Sequence, residues 1–262
     1  MSAALCTVTP NLALGAFPGF SVAQAMQAAQ SLADAGVIRL DHVQICPQNA
    51  GTLDVESARA LAAAYPNTRF RLHANARVAG WTSLADLSTL NRHMDYYVEL
   101  GKVSRAMGAC AYTVHAGLRR NATLYDLARN VDVLSDIMGC DVGIEGMYPR
   151  GPHPVGDEHY LVATWAEYAA LAESGIPYAL DLSHLQILAH KSGCWDEGLV
   201  RDLLANPLCI EIHISGNDGQ HDQHRSLTGD EGWLGLLEHA NERAVIFTEE
   251  NRRAPANSAQ NA

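Results

Sequence analysis

The chain has 262 residues, 48% of them hydrophobic, and 18 basic against 29 acidic residues give it a formal net charge of −11. This length suits one α/β barrel, which typically takes about 250 residues, and the composition supplies a full core. The acidic balance argues against a broad nucleic-acid-binding surface.

No apolar run approaches the roughly 18 residues of a membrane span, and the N-terminal segment MSAALCTVTPNLAL lacks a basic region followed by an apolar stretch. We therefore expect a cytoplasmic protein without a signal peptide and without membrane contact. The six cysteines form no CxxC pair, so the sequence indicates neither a disulfide framework nor a thiolate zinc site.

Strand-like and helix-like segments alternate along the chain. Strand-like runs lie near residues 5–9, 37–46, 69–74, 110–115, 141–145, 177–181, 208–213 and 244–249. Between them, apolar residues recur at three- and four-residue spacing, which is typical of amphipathic helices, near 21–35, 54–65, 83–107, 122–138, 161–173, 196–205 and 232–241. We predict a single domain over residues 1–262 with a flexible polar tail over 252–262.

Eight strand–helix units predict a parallel sheet with right-handed crossovers. Such a sheet either closes into a (β/α)8 TIM barrel or stays open and doubly wound. A barrel builds its active site from the C-terminal ends of many strands, whereas an open sheet gathers its site at one switch point. Polar residues recur at strand ends along this whole chain, so the sequence favours the closed barrel.

Nine histidine, aspartate and glutamate residues end the apolar runs or follow them closely. They are His73, His115, Glu145, Asp181, His184, His213, Asp222, His224 and Glu249. Neutral imidazoles and carboxylates are ligands that suit iron, manganese or zinc. Because almost every strand-like run ends in one, we expect a polynuclear metal cluster at one mouth of the barrel.

The segment EIHISGNDGQHDQHRSL carries three of these candidates. His213 ends a strand, and a loop rich in glycine, asparagine and aspartate leads to Asp222 and His224, whose side chains would point the same way in an extended segment. The alternative is a surface loop of polar turn residues. We favour metal binding because three ligand types follow one buried strand, and we expect His221 to face outward.

Other candidates also have ordinary structural explanations. Asp181 could simply cap a helix over 182–190, on whose face His184 would lie. A lone histidine at a strand end, such as His73 or His115, is more often a hydrogen-bonded core residue than a ligand. The occurrence of two such histidines in register with other candidates favours ligation.

Two glutamates end further strands. Glu145 follows a buried strand, where an unpaired carboxylate would be costly and a metal would supply a partner. At the last strand, AVIFTEEN, alternation prevents both Glu249 and Glu250 from pointing inward. We choose Glu249 because it directly ends the apolar run.

A family resemblance rests on the segments LDHVQICPQN, IEGMYP, LDLSHLQILAHKSG, HISG, TEEN and the run from Asp222 through Asp230 to Trp233. Together these segments resemble the xylose isomerase-like barrel superfamily, and within it the DUF692 family of multinuclear non-haem iron-dependent oxidative enzymes, the methanobactin biosynthesis oxidase type. His184 stands where that family usually has asparagine. SLTGDEGWLGLL resembles a Gly-Glu-Gly segment of the isomerases and of the endonuclease IV type of nuclease.

The resemblance implies two or three iron ions that use O2 to modify a residue, such as cysteine, of a ribosomally made peptide or a small thiol. It also implies a partner protein that binds the leader segment. Two alternatives remain open. One is a sugar isomerase or epimerase with Mn2+ or Mg2+ on Glu145, Asp181, His213 and Glu249. The other is an endonuclease IV-like phosphodiesterase with three Zn2+ ions, which the acidic charge disfavours.

Overall fold

The computed structural model describes residues 8–81, 83–150 and 158–252, which form a closed barrel of eight parallel strands. The strands are β1 (Asn11–Ala13), β2 (Arg39–Ile45), β3 (Arg69–Leu72), β4 (Ala111–His115), β5 (Asp141–Glu145), β6 (Tyr178–Asp181), β7 (Cys209–Ile214) and β8 (Val245–Thr248). Each strand pairs with the next, and β8 closes the barrel on β1. The predicted (β/α)8 architecture is confirmed.

Seven α-helices surround the described barrel. They are α1 (Val22–Asp34), α2 (Val55–Ala64), α3 (Met94–Met107), α4 (Leu124–Met138), α5 (Trp165–Glu173), α6 (Leu182–Ser192) and α7 (Glu197–Ala205). The stretch predicted over 232–241 contains only a 3-10 helix, Leu234–His239, and the stretch predicted over 83–107 divides into a 3-10 helix and α3. Among the described helices, none has the length and apolarity needed to cross a bilayer.

Local sequence signals set the bounds of the helices that lead into the strands. At the start of α4, Asp126 accepts a hydrogen bond from the backbone N–H of Thr123, and the Thr123 hydroxyl accepts one from the backbone N–H of Asp126. This reciprocal capping box satisfies two of the free donors at the helix start. The helix ends at Gly139, whose φ of 72° suits glycine, and β5 begins two residues later. The short turn fixes where the carboxyl end of β5 lies.

The first strand is not where the sequence predicted it. Residues 5–7 of the predicted strand 5–9 lie outside the described residues, and residues 8–9 are not in a strand. The barrel strand is instead Asn11–Ala13, which is fully buried and pairs with both β2 and β8. Strand propensity favoured the β-branched segment LCTVT, but pairing on both edges depends on the rest of the barrel and overrides local preference.

The predicted tail over 252–262 lies outside the described residues except for Arg252. Within the described part, one continuous apolar cluster extends from Leu12 on β1 to Ile214 on β7 and Leu237 in the last 3-10 helix. The single-domain organisation over residues 1–262 stays a prediction.

The barrel interior carries a polar layer beneath its C-terminal mouth. Gln44, Arg71, Thr113 and Glu211 are buried in the middle of β2, β3, β4 and β7. Because side chains alternate along a strand, residues two positions later share the same side. This spacing places His73, His115 and His213 directly beyond Arg71, Thr113 and Glu211 along their strands. Pairing register then sets His115 beside Glu145 and Asp181 beside His213.

Gly146, the residue after Glu145, packs closely against the side chain of Tyr168. A Cβ added at Gly146 would lie 2.3 Å from Cε1 and 2.5 Å from the hydroxyl oxygen of Tyr168, which is fully buried. We expect Gly146→Ala to lower the free energy of unfolding by about 1–3 kcal/mol, the typical cost of overpacking. Denaturant unfolding measures this change.

Gly232→Ala is the matched control, because an added Cβ there meets no atom within 4 Å. Equal unfolding midpoints for the Gly146 and Gly232 variants would contradict this packing.

Candidate metal centre

All nine predicted side chains converge at the C-terminal mouth of the barrel. One cavity of about 270 Å³ is lined by eight of them: His73, His115, Glu145, Asp181, His184, Asp222, His224 and Glu249. The ninth, His213, lies just beneath, with its Nδ1 atom 3.3 Å from Oε1 of Glu145 and 3.6 Å from Oε1 of Glu249. Residues far apart in the sequence therefore share one site.

Glu145 joins a first group of possible ligands. Its Oε2 atom lies 3.2 Å from Nε2 of His73 and 3.4 Å from Nε2 of His115, and these three residues can converge on one cation. The same Oε2 atom is buried and has no hydrogen-bond partner among the residues that the structure describes. A buried carboxylate oxygen without a hydrogen bond is costly, so a cation shared with the two imidazoles fits this position.

A second position is formed by His73, His213 and Glu249, a buried group whose ligand atoms can surround one ion. Nε2 of His73 belongs to both groups, and because it has one lone pair it can bind a cation at only one of the two positions. Nε2 of His73 lies 3.8 Å from Oε1 of Glu249, and the second oxygen of Glu145, Oε1, faces His213. Glu145 can therefore bridge the first and second positions with its two oxygens.

The third group forms around Asp222. Its Oδ2 atom lies 3.4 Å from Nε2 of His184 and 3.3 Å from Nε2 of His224. Its Oδ1 atom is buried and has no hydrogen-bond partner within the described part of the chain. His224 holds a φ of 48°, a left-handed conformation that is strained for a residue with a side chain. Strain of this kind concentrates at functional sites, and here it turns the imidazole towards Asp222 and Glu249.

Asp181 combines the two roles that the sequence left open. Its Oδ1 atom caps α6 by accepting hydrogen bonds from the backbone N–H groups of Ser183 and His184, at 2.7 and 3.2 Å. Its Oδ2 atom lies 3.3 Å from Nε2 of His184 and faces the cavity. Capping fixes the carboxylate and leaves one oxygen for a cation.

Glu250 and His221 are close in sequence to predicted ligands but do not face the cavity. Glu249 is buried and faces His73 and His213, whereas Glu250 lies 3.4 Å from Arg252. His221 is exposed, with 71% of its side chain accessible, and lies beside Asp218. Ligation by any of the nine residues stays a prediction, but their placement fits it.

Backbone carbonyls orient two of the imidazoles. Nδ1 of His184 lies 2.9 Å from the carbonyl oxygen of Gly146, and Nδ1 of His73 lies 3.3 Å from that of Ala74. A carbonyl accepts hydrogen bonds only, so the proton of each neutral ring belongs on Nδ1. Nε2 is then unprotonated and faces the carboxylates, as a metal ligand requires.

The carboxylates control the protonation of the site. Burial alone would lower the pKa of His213, but Glu249 and Glu145 outweigh burial and hold that pKa well above its usual value. Burial likewise would raise the pKa of Glu145, yet His73 and His213 keep it well below its usual value. Without cations, protons on the imidazoles balance the buried negative charge.

At Asp181, the neighbouring imidazole compensates the buried negative charge less completely than the imidazoles around Glu145 do. Burial raises its pKa, His184 opposes the rise, and the neighbouring carboxylates of Glu249 and Asp222 add to it. Like charges crowded in a low-dielectric cavity disfavour full ionisation. Divalent cations would relieve this repulsion and stabilise all the carboxylates as anions.

The sequence interpretation missed the polar layer beneath the site. Glu211 is fully buried, accepts hydrogen bonds from Arg71, Gln44 and Thr113, and contacts His213. Burial would raise the pKa of Glu211, but the contact with His213 and the charge of Arg71 lower it to about 2. The signal was present in CIEIHI, because Glu211 and His213 are two residues apart and share one face of a buried strand.

No protein-family model and no curated protein matches the sequence. Solved structures match its fold. A D-tagatose 3-epimerase-like protein has a TM-score of 0.62 at 14% identity, covering 93% of this chain and 91% of that one. AP endonuclease, family 2 from Brucella melitensis has a TM-score of 0.62 at 15% identity, covering 94% of both chains. The IOLI protein, solved with a binding zinc atom, has a TM-score of 0.59 at 12% identity, covering 92% and 88%.

The fold is a xylose isomerase-like TIM barrel. At these identities the similarity establishes the fold alone. It agrees with the superfamily predicted from the sequence, while the closer resemblance to the DUF692 family stays a prediction.

The protonated imidazoles predict how pH changes the stability of the metal-free protein. Burial would lower the pKa of His224, but Asp222 and Glu249 raise it from 6.5 to about 9. The stabilisation from this proton is complete below about pH 6.5 and is lost as the pH rises through about 9. We expect the Tm of the chelator-treated protein to fall over this range, and to fall less steeply in His224→Asn.

The matched control is His239→Asn, at a partly exposed site beside Glu238. It should retain the steep fall in Tm of the unsubstituted protein. If His224→Asn showed the same pH slope as His239→Asn, the electrostatic account of the site would be wrong.

Proposed function

We propose that this chain is a polynuclear metal enzyme that hydrolyses phosphate esters of small molecules. The observation that carries the proposal is the third donor group, in which His184 and His224 both face Oδ2 of Asp222. This donor group adjoins Glu145, Asp181 and His184, whose ligand atoms can converge on one ion. The mouth of the barrel would therefore offer donors for up to three cations. Three divalent cations suit a phosphoester substrate, whose negative charge develops further during hydrolysis.

The number of donors argues against a single metal. An octahedral ion accepts six donor atoms, and a catalytic site also keeps positions open for substrate or water. Glu145, Asp181, His213 and Glu249 would suffice for the single ion of the predicted sugar isomerase or epimerase. That single ion would leave the other five donors without a ligand role: His73, His115, His184, Asp222 and His224.

The donor chemistry is compatible with zinc and equally with manganese or iron, because all nine residues offer imidazole nitrogen or carboxylate oxygen. When bound, the cations would lower the pKa of a bound water and neutralise negative charge on the substrate. The chain contributes the geometry: Asp181 is fixed by helix capping, and His184 and His73 are oriented by backbone carbonyls.

A cleft next to the third group supports an anionic substrate. It has a volume of about 810 Å³ and includes Tyr148, Arg150, Tyr160 and Lys191, and it shares Asp222 with the metal cavity. The Arg150 guanidinium lies 4.9 Å from the Tyr160 ring centre, and Lys191 Nζ lies 5.5 Å from that of Tyr148. Among the described residues, both cations contact rings and backbone carbonyls, so their charge is available to a ligand.

The net charge of −11 favours a small phosphate ester over a nucleic acid duplex, because an acidic surface repels a long polyanion. The two cations of the cleft would act locally and attract one anionic group. This is the chemistry of the predicted phosphodiesterase with a smaller substrate.

The second candidate is the iron-dependent oxidation that the sequence resemblance implies, with a peptide or small thiol as substrate and a leader-binding partner. The specific observation in its favour is the run from Asp222 to Trp233, which has the spacing of that family, together with donors that suit iron. This oxidation would take place at the same mouth of the barrel. Metal identity and reaction product distinguish the two candidates.

We expect the protein reconstituted with Zn2+ or Mn2+ to hold about three cations per chain and to hydrolyse p-nitrophenyl phosphate or bis(p-nitrophenyl) phosphate. His184→Ala should lose about one cation and lower kcat at least roughly 100-fold, because metal ligands act in the transition state. Elemental analysis and the release of p-nitrophenol measure both effects.

His239→Ala is the control, since His239 lies beside Glu238 at the end of the last 3-10 helix and belongs neither to the nine donors nor to the lining of the cleft. Iron bound after anaerobic purification, with O2 uptake and no ester hydrolysis, would replace the hydrolase by the oxidase. A single bound cation would contradict both.

The cleft makes a separate prediction about substrate affinity. We expect Arg150→Gln and Lys191→Gln each to raise KM for an anionic phosphate ester roughly 10- to 100-fold, because each loses a charge-assisted contact worth about 1.5–3 kcal/mol. Because the cleft lies outside the metal cavity, kcat should change less than about threefold. Steady-state kinetics separate the two parameters.

Arg201→Gln is the control. Arg201 forms an ion pair with Glu197 on α7, so its substitution should leave KM unchanged. An equal rise in KM for the Arg201 variant would show that only the overall charge matters.

A further inference from the structure

The carboxylate of Glu211 lies inside the barrel and away from the cavity, yet it is one of the most heavily hydrogen-bonded groups in the described structure. Its Oε1 atom accepts from Nη1 of Arg71 at 2.9 Å. Its Oε2 atom accepts from the Gln44 amide at 2.7 Å and the Thr113 hydroxyl at 2.5 Å. Both Glu211 and Arg71 are buried, so the pair is held rigidly by the barrel.

The same Oε2 atom lies 3.1 Å from Nε2 of His213. The other ring nitrogen, Nδ1, points towards the mouth and lies 3.3 Å from Glu145 and 3.6 Å from Glu249. His213 therefore has one nitrogen on the buried carboxylate and the other at the second cation position. The ring is fully buried between these two contacts.

One contact competes with this arrangement. The Gln44 amide nitrogen lies 3.2 Å from Nε2 of His213 and could donate to that nitrogen if it were unprotonated. The lone pair of Nε2 would then face the Glu211 carboxylate, which is electrostatically unfavourable. A hydrogen bond from an imidazole N–H to a carboxylate is charge-assisted and stronger than one between neutral groups, so the carboxylate decides the tautomer.

We propose that Glu211 is a positioning residue that holds the proton of His213 on Nε2 and presents Nδ1 to the metal centre. Arg71, Gln44 and Thr113 keep the Glu211 carboxylate in place, and the carboxylate in turn fixes the plane of the imidazole. Partners of this kind raise the basicity of a ligating histidine and orient it. The assignment of Nδ1 as a metal ligand rests on the proposed metal centre. It does not depend on which reaction that centre performs.

Nitrogen-15 NMR of the full chain, labelled at histidine and loaded with Zn2+, tests the proposal on the unsubstituted protein. We expect the His213 signals to show a proton on Nε2 and none on Nδ1, with exchange of that proton slowed by burial. His213→Gln identifies the signals. A proton on Nδ1, with zinc on Nε2, would overturn the proposal.

Zinc affinity measured by chelator competition gives a second test. Glu211→Gln should weaken zinc binding roughly 10–100-fold, the usual effect of removing such a partner. Glu167→Gln is the matched control: it makes the same carboxyl-to-amide change in a carboxylate that pairs with Arg119 and has no role in positioning His213, and it should change the affinity less than about threefold. Equal weakening by both variants would reduce Glu211 to a structural role and contradict the proposal.

The outcomes separate this inference from the proposed hydrolase. Zinc bound through Nδ1 without ester hydrolysis retains the role of Glu211 and rejects the hydrolase. Zinc bound through Nε2 with hydrolysis intact rejects the role of Glu211 alone, and a chain that binds no zinc rejects both. If Glu211→Gln fails to fold, the spectrum of the unsubstituted protein still decides the tautomer.

Discussion

The arrangement at the barrel mouth depends on the desolvation of carboxylates. Glu145, Asp181 and Glu249 are buried together, and an uncompensated carboxylate in such surroundings costs several kcal/mol. Imidazoles placed between them compensate this cost by carrying protons in the metal-free protein. The fold tolerates this concentration of charge because the scaffold holds opposite charges within hydrogen-bonding range on neighbouring strands.

The barrel makes this compensation possible through its strand register. Parallel strands bring all their carboxyl ends to one rim, and alternation sends every second side chain inward. One layer of the interior is occupied by Arg71 and Glu211 with their polar partners, and the next layer by the imidazoles and carboxylates of the mouth. The lower layer thus supports the upper one, and the apolar packing between strands and helices supports both.

The sequence predicted the features that follow from strand ends. The histidine and carboxylate residues closing each apolar run had to meet if the barrel closed, and they do. Features that depend on contacts between distant segments could not be predicted from the sequence. The short strand Asn11–Ala13 is defined by its pairing with β2 and β8. In the sequence, Glu211 is a single polar residue in an apolar run, and only the folded chain brings Arg71 into contact with it. Asp181 could not be assigned to capping or ligation because its Oδ1 atom caps α6 while its Oδ2 atom faces the cavity.

We propose that the mouth of the barrel is a centre for three cations. Anomalous X-ray diffraction at the zinc absorption edge, from crystals of the zinc-loaded protein, tests it most directly. The account predicts three peaks within the mouth, one of them between His73 and His115 and another touching His184, Asp222 and His224. A single peak, or strong peaks only at surface residues such as His221, would contradict it.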